Sequence, residues 1–246
     1  MSEITNVLKT NPLPKLESLV IHWEDTSDDD DPLPNVNEIF TILVQNFQGL
    51  NSVEIRGPIF SRKHYREFQS AFAHNGRILI LIPYVNTDYI SNLKMGEAIC
   101  QAPWAKLESL NLILNTHDLA QFCTRLWHHL KSLGLTFVGK DCSQNFPTLL
   151  SCLSGSNLEK INFEYCEEDD PAFFDCSTAY FPSLTELKFY GIVESYETVL
   201  KGDVLSSIAS AKLPKLESIL MKYLCIARTK SSIGVGQPFP SISKMI

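Results

Sequence analysis

One short pattern of apolar positions recurs along the chain. Leu13-Pro14-Lys15-Leu16-Glu17-Ser18-Leu19 returns almost unchanged as Leu213-Pro214-Lys215-Leu216-Glu217-Ser218-Ile219. Ala105-Lys106-Leu107-Glu108-Ser109-Leu110 and Phe181-Pro182-Ser183-Leu184-Thr185-Glu186-Leu187 are looser copies. The shared core is L-x-x-L-x-L with other apolar residues tolerated. It stands at Leu16/Leu19/Ile21, Leu50/Val53/Ile55, Leu107/Leu110/Leu112, Leu130/Leu133/Leu135, Leu158/Ile161/Phe163, Leu184/Leu187/Phe189 and Leu216/Ile219/Met221. The apolar run Ile78–Ile82, stopped by Pro83, falls between the second and third of these and reads as a buried strand whose register the pattern leaves open. Eight candidate units result, with starts 23 to 34 residues apart. A period in that range is the mark of a repeat array.

Helix-like segments separate the cores. Residues 35–47 place Val36, Ile39, Phe40, Leu43, Val44 and Phe47 on one helical stripe. Ser61–His74 opens on a residue suited to N-capping and carries Tyr65, Phe68 and Phe72 on one face. Thr116–His129 repeats the arrangement with Leu119, Phe122, Cys123, Leu126 and Trp127, and shorter helices are expected at Phe146–Leu153 and within Ser195–Ala211. Strand, loop, helix, loop, strand is an α/β pattern, open to a parallel-strand solenoid or a doubly wound sheet. Doubly wound strands are apolar on both faces. Leu19-Val20-Ile21-His22, Val53-Glu54-Ile55-Arg56, Ile161-Asn162-Phe163-Glu164 and Leu187-Lys188-Phe189-Tyr190 alternate instead. One face is expected in the core and the other in water, which favours the solenoid.

These cores resemble leucine-rich repeats of the long, helix-bearing kind. Similar spacing, with proline just before the first leucine, is found in ribonuclease-inhibitor-like and F-box-associated repeat proteins. The resemblance covers about residues 8–226. It implies a curved parallel sheet with helices on the outer side, in about eight irregular repeats. The family core continues to an Asn or Cys three residues past the last apolar position, where the side chain bonds backbone in the turn. Asn115 and Cys166 match; Glu24, Pro58, Val138, Ile192 and Leu224 depart. No helical F-box is visible before the first core, and Ile4–Leu8 reads as the end of a repeat helix, as in a truncated or divergent member. Residues 1–228 are expected to form the repeat domain and 229–246 a Ser/Gly/Pro-rich tail or the stub of another repeat.

Composition narrows the function. Hydrophobic residues make up 44% and charged residues 20%, so the chain should fold rather than stay disordered. A net charge of −7 without any Lys/Arg-rich run speaks against nucleic acid as a partner. Cys100, Cys123, Cys142, Cys152, Cys166, Cys176 and Cys225 are odd in number and show no CxxC spacing, so they read as reduced, mostly buried thiols. No Asn-x-Ser/Thr site occurs. The first fifteen residues have neither the basic nor the apolar segment of a signal peptide, and no apolar run reaches the roughly 18 residues of a membrane span. Cytoplasm or nucleus is the expected location, with no membrane partner.

Candidate chemistry is sparse. Asp28–Asp31, with Glu24 and Asp25, lacks the ligand spacing and glycine of a calcium loop, and reads as a solvated insertion in which Ser27 suits an acid-directed kinase. Glu164 and Glu167–Asp170 form a second acidic loop at the equivalent place. His128-His129 lacks HxxxH spacing, no cysteine has a local His partner, and Gly234-Val235-Gly236 has no following helix. No catalytic residue, metal or cofactor is therefore expected.

The wet sheet face is the expected functional surface. It should present Ser18, Val20, His22, Ser52, Glu54 and Arg56, then Ser109, Asn111, Ile113, Ser132 and Thr136. Lys160, Asn162, Glu164, Glu186, Lys188, Tyr190, Ser218, Leu220 and Lys222 continue it. His22, Glu54, Arg56, Asn111, Lys160, Asn162, Glu164, Glu186, Lys188, Tyr190 and Lys222 are the candidate partner-binding residues. Eight strands ~4.8 Å apart and ~17 Å long make about 600 Å², below the ~800 Å² per partner of a standard interface, so adjacent loops must contribute. The resulting expectation is a non-enzymatic protein-binding scaffold. Resemblance extends it to substrate recognition for a ubiquitin ligase. The alternatives are a fragment of a larger repeat protein without independent function, and an uncharacterised α/β enzyme.

Overall fold

A computed structural model describes residues 6, 10, 16–22, 42, 49–57, 72–83, 99–125, 127–137, 142–165, 176–190, 198–201, 204–222, 224–227 and 244–245. The chain divides into two compact units, Met1–Ile113 and Leu114–Ile246. Both build parallel sheet, so the α/β class expected from the alternating elements is observed. The acidic run at 24–31 with Ser27, the helix expected at 35–47 apart from Ile42, and the Glu167–Asp170 cluster lie outside the described residues. So do Cys166 and most of 229–246.

In the first unit, β1 (Ser18–His22), β2 (Ser52–Gly57), β3 (Ile78–Pro83) and β4 (Ser109–Leu114) pair in chain order, all parallel. Parallel neighbours need a crossover between them, which the long inter-core segments supply. Period-two alternation sends Val53, Ile55, Leu79, Leu81, Leu110 and Leu112 to the core, each at most 1% exposed.

The register of β3, open in the sequence, is fixed by Gly76. Ile78 pairs with Ser52 and Ser109, so Leu79 and Leu81 are the second and third apolar positions of a core whose first is Gly76. A methyl group on Gly76 would stand 2.6 and 2.8 Å from ring carbons of Phe72. The Phe72 ring thus fills the place a leucine takes elsewhere, and packs edge-on against Trp104 with centroids 6.1 Å apart. The strand expected to be buried is buried on one face. Leu79 and Leu81 are buried, whereas Ile78 is exposed and Ile80 and Ile82 are half-buried on the other side.

In the second unit, β5 (Ser132–Phe137), β6 (Lys160–Tyr165), β7 (Glu186–Tyr190), β9 (Ser218–Lys222) and β11 (Lys244–Met245) lie side by side, parallel. A separate parallel pair joins β8 (Thr198–Lys201) to β10 (Leu224–Ala227). Phe137, Phe163 and Phe189 form a ladder of tilted rings 5.8 and 5.9 Å apart. Phe146 meets Phe163 edge-on at 5.0 Å and Phe137 at 6.3 Å. Offset and edge contacts of this kind add to the burial of the rings themselves.

One hydrogen-bond motif recurs where the strands begin. The carbonyl just before a strand accepts from two successive N–H groups at the start of the next. In the first unit, Glu17 O serves Asn51 and Ser52, Asn51 O serves Arg77 and Ile78, and Arg77 O serves Glu108 and Ser109. In the second, Lys131 O serves Glu159 and Lys160, Glu159 O serves Thr185 and Glu186, and Thr185 O serves Glu217 and Ser218. The donor–acceptor distances run from 2.7 to 3.1 Å. Successive strands therefore start in the same register.

Two helices differ from expectation in length, and the one expected at Ser61–His74 lies outside the described residues up to position 71. α1 (Thr116–Phe122) is capped by Asn115, whose Oδ1 accepts from Asp118 N at 2.8 Å. It does not run on to His129. Past Phe122 the backbone tightens to three-residue turns, Thr124 N on Gln121 O at 3.0 Å and Arg125 N on Phe122 O at 3.4 Å, and the Thr124 hydroxyl and Trp127 Nε1 share the same two carbonyls at 2.7 and 3.4 Å. Trp127 folds back to stack on Phe122 at 4.8 Å, and His128 and His129 lie in an exposed turn. α2 (Cys142–Leu153) starts one turn earlier than Phe146, with Pro147 inside it rather than in its first turn. Past its end, Gly155 adopts φ +77° and donates to Tyr180 O at 2.7 Å. α3 (Val204–Ser210) lies within Ser195–Ala211, as expected, and Thr198–Lys201 of the same stretch pairs as β8.

Candidate functional site

The outward positions of each sheet follow directly from its register. In the first unit they form three rows across the strands. Ser18, Ser52, Ile78 and Ser109 make the first row, and Val20, Glu54, Ile80 and Asn111 the second. His22, Arg56 and Ile82 make the third. In the second unit, β6, β7 and β9 align Lys160, Glu186 and Ser218, then Asn162, Lys188 and Leu220, then Glu164, Tyr190 and Lys222. All eleven candidate residues thus fall on outward strand positions.

Two charged clusters form, one on each unit. Glu54 Oε1 lies 3.0 Å from His22 Nε2 and accepts from Arg56 Nε at 2.7 Å. Burial pushes the Glu54 carboxyl up, but hydrogen bonds from His22 and Arg56 and their nearby charge outweigh it, and the net shift is downward. The carboxylate lies beneath its partners: the Glu54 side chain is 21% exposed, against 52% for His22 and 46% for Arg56. What this cluster offers to an approaching group is therefore chiefly the remaining N–H groups of the Arg56 guanidinium. Asn111, half-buried, stands on the far side of Ile80 from it.

In the second unit Glu186 gathers two lysines. Lys188 Nζ donates to Glu186 Oε1, and Lys160 Nζ stands 3.7 Å from Oε2. The hydrogen bond from Lys188 holds the Glu186 carboxyl below its usual range against the opposing effect of burial, and the same bond raises Lys188. Asn162, beside Lys188 in register, has a buried amide oxygen that accepts no hydrogen bond among the described residues. Glu164 Oε2 accepts from the Thr136 hydroxyl at 3.0 Å, and Tyr190 is half-buried next to Glu164. Lys222 pairs with Tyr190 in the ladder.

Two outward residues expected in water are buried. Thr136 sits opposite the longer Glu164, whose carboxylate reaches across to its hydroxyl. Ile113 is 1% exposed at the end of β4. The residues missed from the sequence are Ile78, Ile80 and Ile82. Their outward placement was recoverable from Gly76-x-x-Leu79-x-Leu81, had glycine been admitted at the first position of the core.

Among the described residues, no group of three or more His, Cys, Asp or Glu side chains gathers to hold a metal, and no helix is long and apolar enough to cross a membrane. Cys176 is buried, and Cys100, Cys123 and Cys152 are half-buried thiols. An open depression of about 360 Å³ is lined by Ser177, Thr178, Ala179, Tyr180 and Lys212. No protein-family model matches the chain, and no curated protein sequence does.

Proposed function

We propose that the chain is a leucine-rich-repeat scaffold that binds a protein partner through the outward faces of its strands, and that it binds rather than catalyses. The observation carrying this reading is the ordered outward ladder. In each unit, strand after strand presents its outward side chains in matched rows, on strands started by the same paired N–H groups. Such a ladder is a rigid surface whose side chains are set before a partner arrives, which lowers the ordering cost of association. The leucines facing inward, the all-parallel strand order, and Asn115 bonding backbone where the repeat family places an Asn support the repeat assignment. Substrate recruitment for a ubiquitin ligase is a narrower form of the proposal and rests on the resemblance of the repeats alone.

The test is a triple variant, Arg56→Glu, Glu186→Lys and Tyr190→Ala, with unchanged circular dichroism and melting temperature as the control for folding. Partners captured in cells by crosslinking should be lost from the variant and retained by wild type. Retention of the same partner by the variant refutes binding through these outward strand faces.

A further inference from the structure

The outward face of the first unit breaks the polar pattern of its own neighbours. Ile78, Ile80 and Ile82 occupy all three outward positions of β3, and Val20 adds an apolar side chain 58% exposed on β1. Ile78 itself is 38% exposed. Ser52 and Ser109 flank Ile78, so the first isoleucine rises above short side chains on both sides. The result is an aliphatic ridge one strand wide. It has the charged His22, Glu54 and Arg56 cluster along its β2 side, with Arg56 exposed, and the uncharged Ser109 and Asn111 along its β4 side.

We propose that this ridge seats a short amphipathic helix of a protein partner, with an acidic side chain of that helix against Arg56. The proposal rests on the protein-binding reading above and names its partner's chemistry. Three physical points select a helix. First, β3 is hydrogen-bonded on both sides, to β2 and to β4, so it has no edge to which an extended peptide could add. The ridge offers side chains only, and a helix arrives with its backbone already satisfied. Second, outward residues on a strand repeat about every 6.8 Å. Apolar positions one turn apart on a helix repeat about every 5–6 Å, close enough for side-chain packing along the whole strand. Third, a four-stranded face is roughly 19 Å by 17 Å, or about 300 Å². That falls well short of the ~800 Å² per partner of a standard interface, so a second copy or a globular domain seated on this face alone would be unstable. A helix of about three turns, ~16 Å long, matches the face.

Charge selects the flank of that helix. The Glu54 carboxylate is covered while the Arg56 guanidinium and the His22 ring stand about half-exposed above it. A carboxylate approaching from solvent meets the free N–H groups of Arg56 there, whereas a lysine meets a guanidinium. The opposite side of the ridge carries no charge in register, so only one flank of the helix needs to be acidic.

The experiment uses the full chain and synthetic helical peptides of about 15 residues. Each carries a leucine seam at i, i+3, i+4 and i+7, with one flank made of Glu, Gln or Lys, and binding is read by fluorescence anisotropy. The Glu-flanked peptide should bind tightest and the Lys-flanked one weakest. Ile80→Asp should weaken the Glu-flanked peptide by roughly tenfold or more. Arg56→Ala should erase most of the preference for Glu over Gln, and Lys215→Ala, at an exposed turn of the other unit outside the candidate surface, should change nothing. If Ile80→Asp fails to melt like wild type, Ile80→Thr keeps a β-branched side chain in place and should weaken binding in the same direction.

Equal binding by wild type and both Ile80 variants overturns the ridge as the seat, and indifference to the flank overturns the acidic contact. Failure of every helical peptide to bind wild type overturns the helix. That failure is distinct from failure of the wider reading, which falls only if the Arg56, Glu186 and Tyr190 triple variant keeps its cellular partner.

Discussion

A single methyl group at Gly76 tests the packing that replaces a core leucine. Built on the backbone, that methyl stands 2.6 Å from Phe72 Cε1, 2.8 Å from Cδ1 and 2.9 Å from the Phe72 carbonyl oxygen. None of the three can retreat freely. The carbonyl accepts from Gly76 N at 2.7 Å, and the ring lies edge-on to Trp104. Trp104 is held in turn by its indole N–H on Ile99 O at 2.8 Å. Forcing a methyl into packing this close costs about 1–3 kcal/mol. Replacing glycine by alanine also restricts the unfolded chain and returns about 0.4–1 kcal/mol.

The net effect of Gly76→Ala is thus a loss of about 1–2 kcal/mol, equivalent to a melting temperature lowered by roughly 2–8 °C in a protein of this size. Urea denaturation should show a lower midpoint at an unchanged slope. Phe72→Leu supplies the second arm of a cycle. It opens space beside Gly76, so the double variant should be more stable than the sum of the single losses predicts, by about 1 kcal/mol. If Gly76→Ala melts at or above the wild-type temperature, or if the two losses simply add, the Phe72 ring is not what excludes a side chain at position 76.

Three further outcomes follow from local geometry. Glu186→Gln should lower stability at neutral pH by less than about 1 kcal/mol, as befits a partly exposed ion pair. Because the folded Glu186 carboxyl lies below its ordinary value of 4.5, its contribution is present above that pH and fades as pH falls through the depressed folded value; melting curves of the two proteins should converge in acid. Gly155→Ala should cost about 1 kcal/mol, since φ is +77° and no neighbour within 4 Å adds to the strain; Gly155→Asn should cost less in the same denaturation assay. Asn115→Ala should cost about 1 kcal/mol by removing the cap of α1, and Asn115→Asp, which keeps the acceptor, should retain most of the stability.

Much of the sheet was legible because a strand with one dry face writes its register into the sequence. Leu19 and Ile21, Val53 and Ile55, Ile161 and Phe163, Leu187 and Phe189 all face inward as their alternation requires, and the outward residues between them follow. Helix ends were less legible, because they depend on which groups find particular carbonyls. Nothing in the apolar spacing of Thr116–His129 shows that Thr124, Arg125 and Trp127 will bond Gln121 O and Phe122 O and leave α1 ending at Phe122. The β8–β10 pair was illegible for another reason. Its strands are four residues each, too short for alternation to stand out from chance. At the candidate site, charged residues were identifiable by position, but their pairing was not. That Arg56 and His22 share one carboxylate depends on which strands are neighbours, and on Glu54 lying between them in the ladder.

The aliphatic run of β3 shows how one local packing choice decides what a surface can do. Hydrophobicity alone does not select its register, because a slip by one residue would exchange Leu79 and Leu81 for Ile78, Ile80 and Ile82, and either set can fill a core. Selection comes from the neighbours. Asn51 O takes the N–H groups of Arg77 and Ile78, Arg77 O takes those of Glu108 and Ser109, and the Phe72 ring occupies the only side of Gly76 where a leucine would otherwise stand. A slip would break these bonds and move a residue with a side chain into the place of Gly76. The isoleucines are therefore outward because the leucines are fixed inward. The apolar ridge and the fold's stability accordingly answer to the same contact. Relieving the Phe72–Gly76 contact should loosen β3 and weaken helix binding together, whereas Ile80→Thr should weaken binding and leave the melting temperature within about 2 °C of wild type.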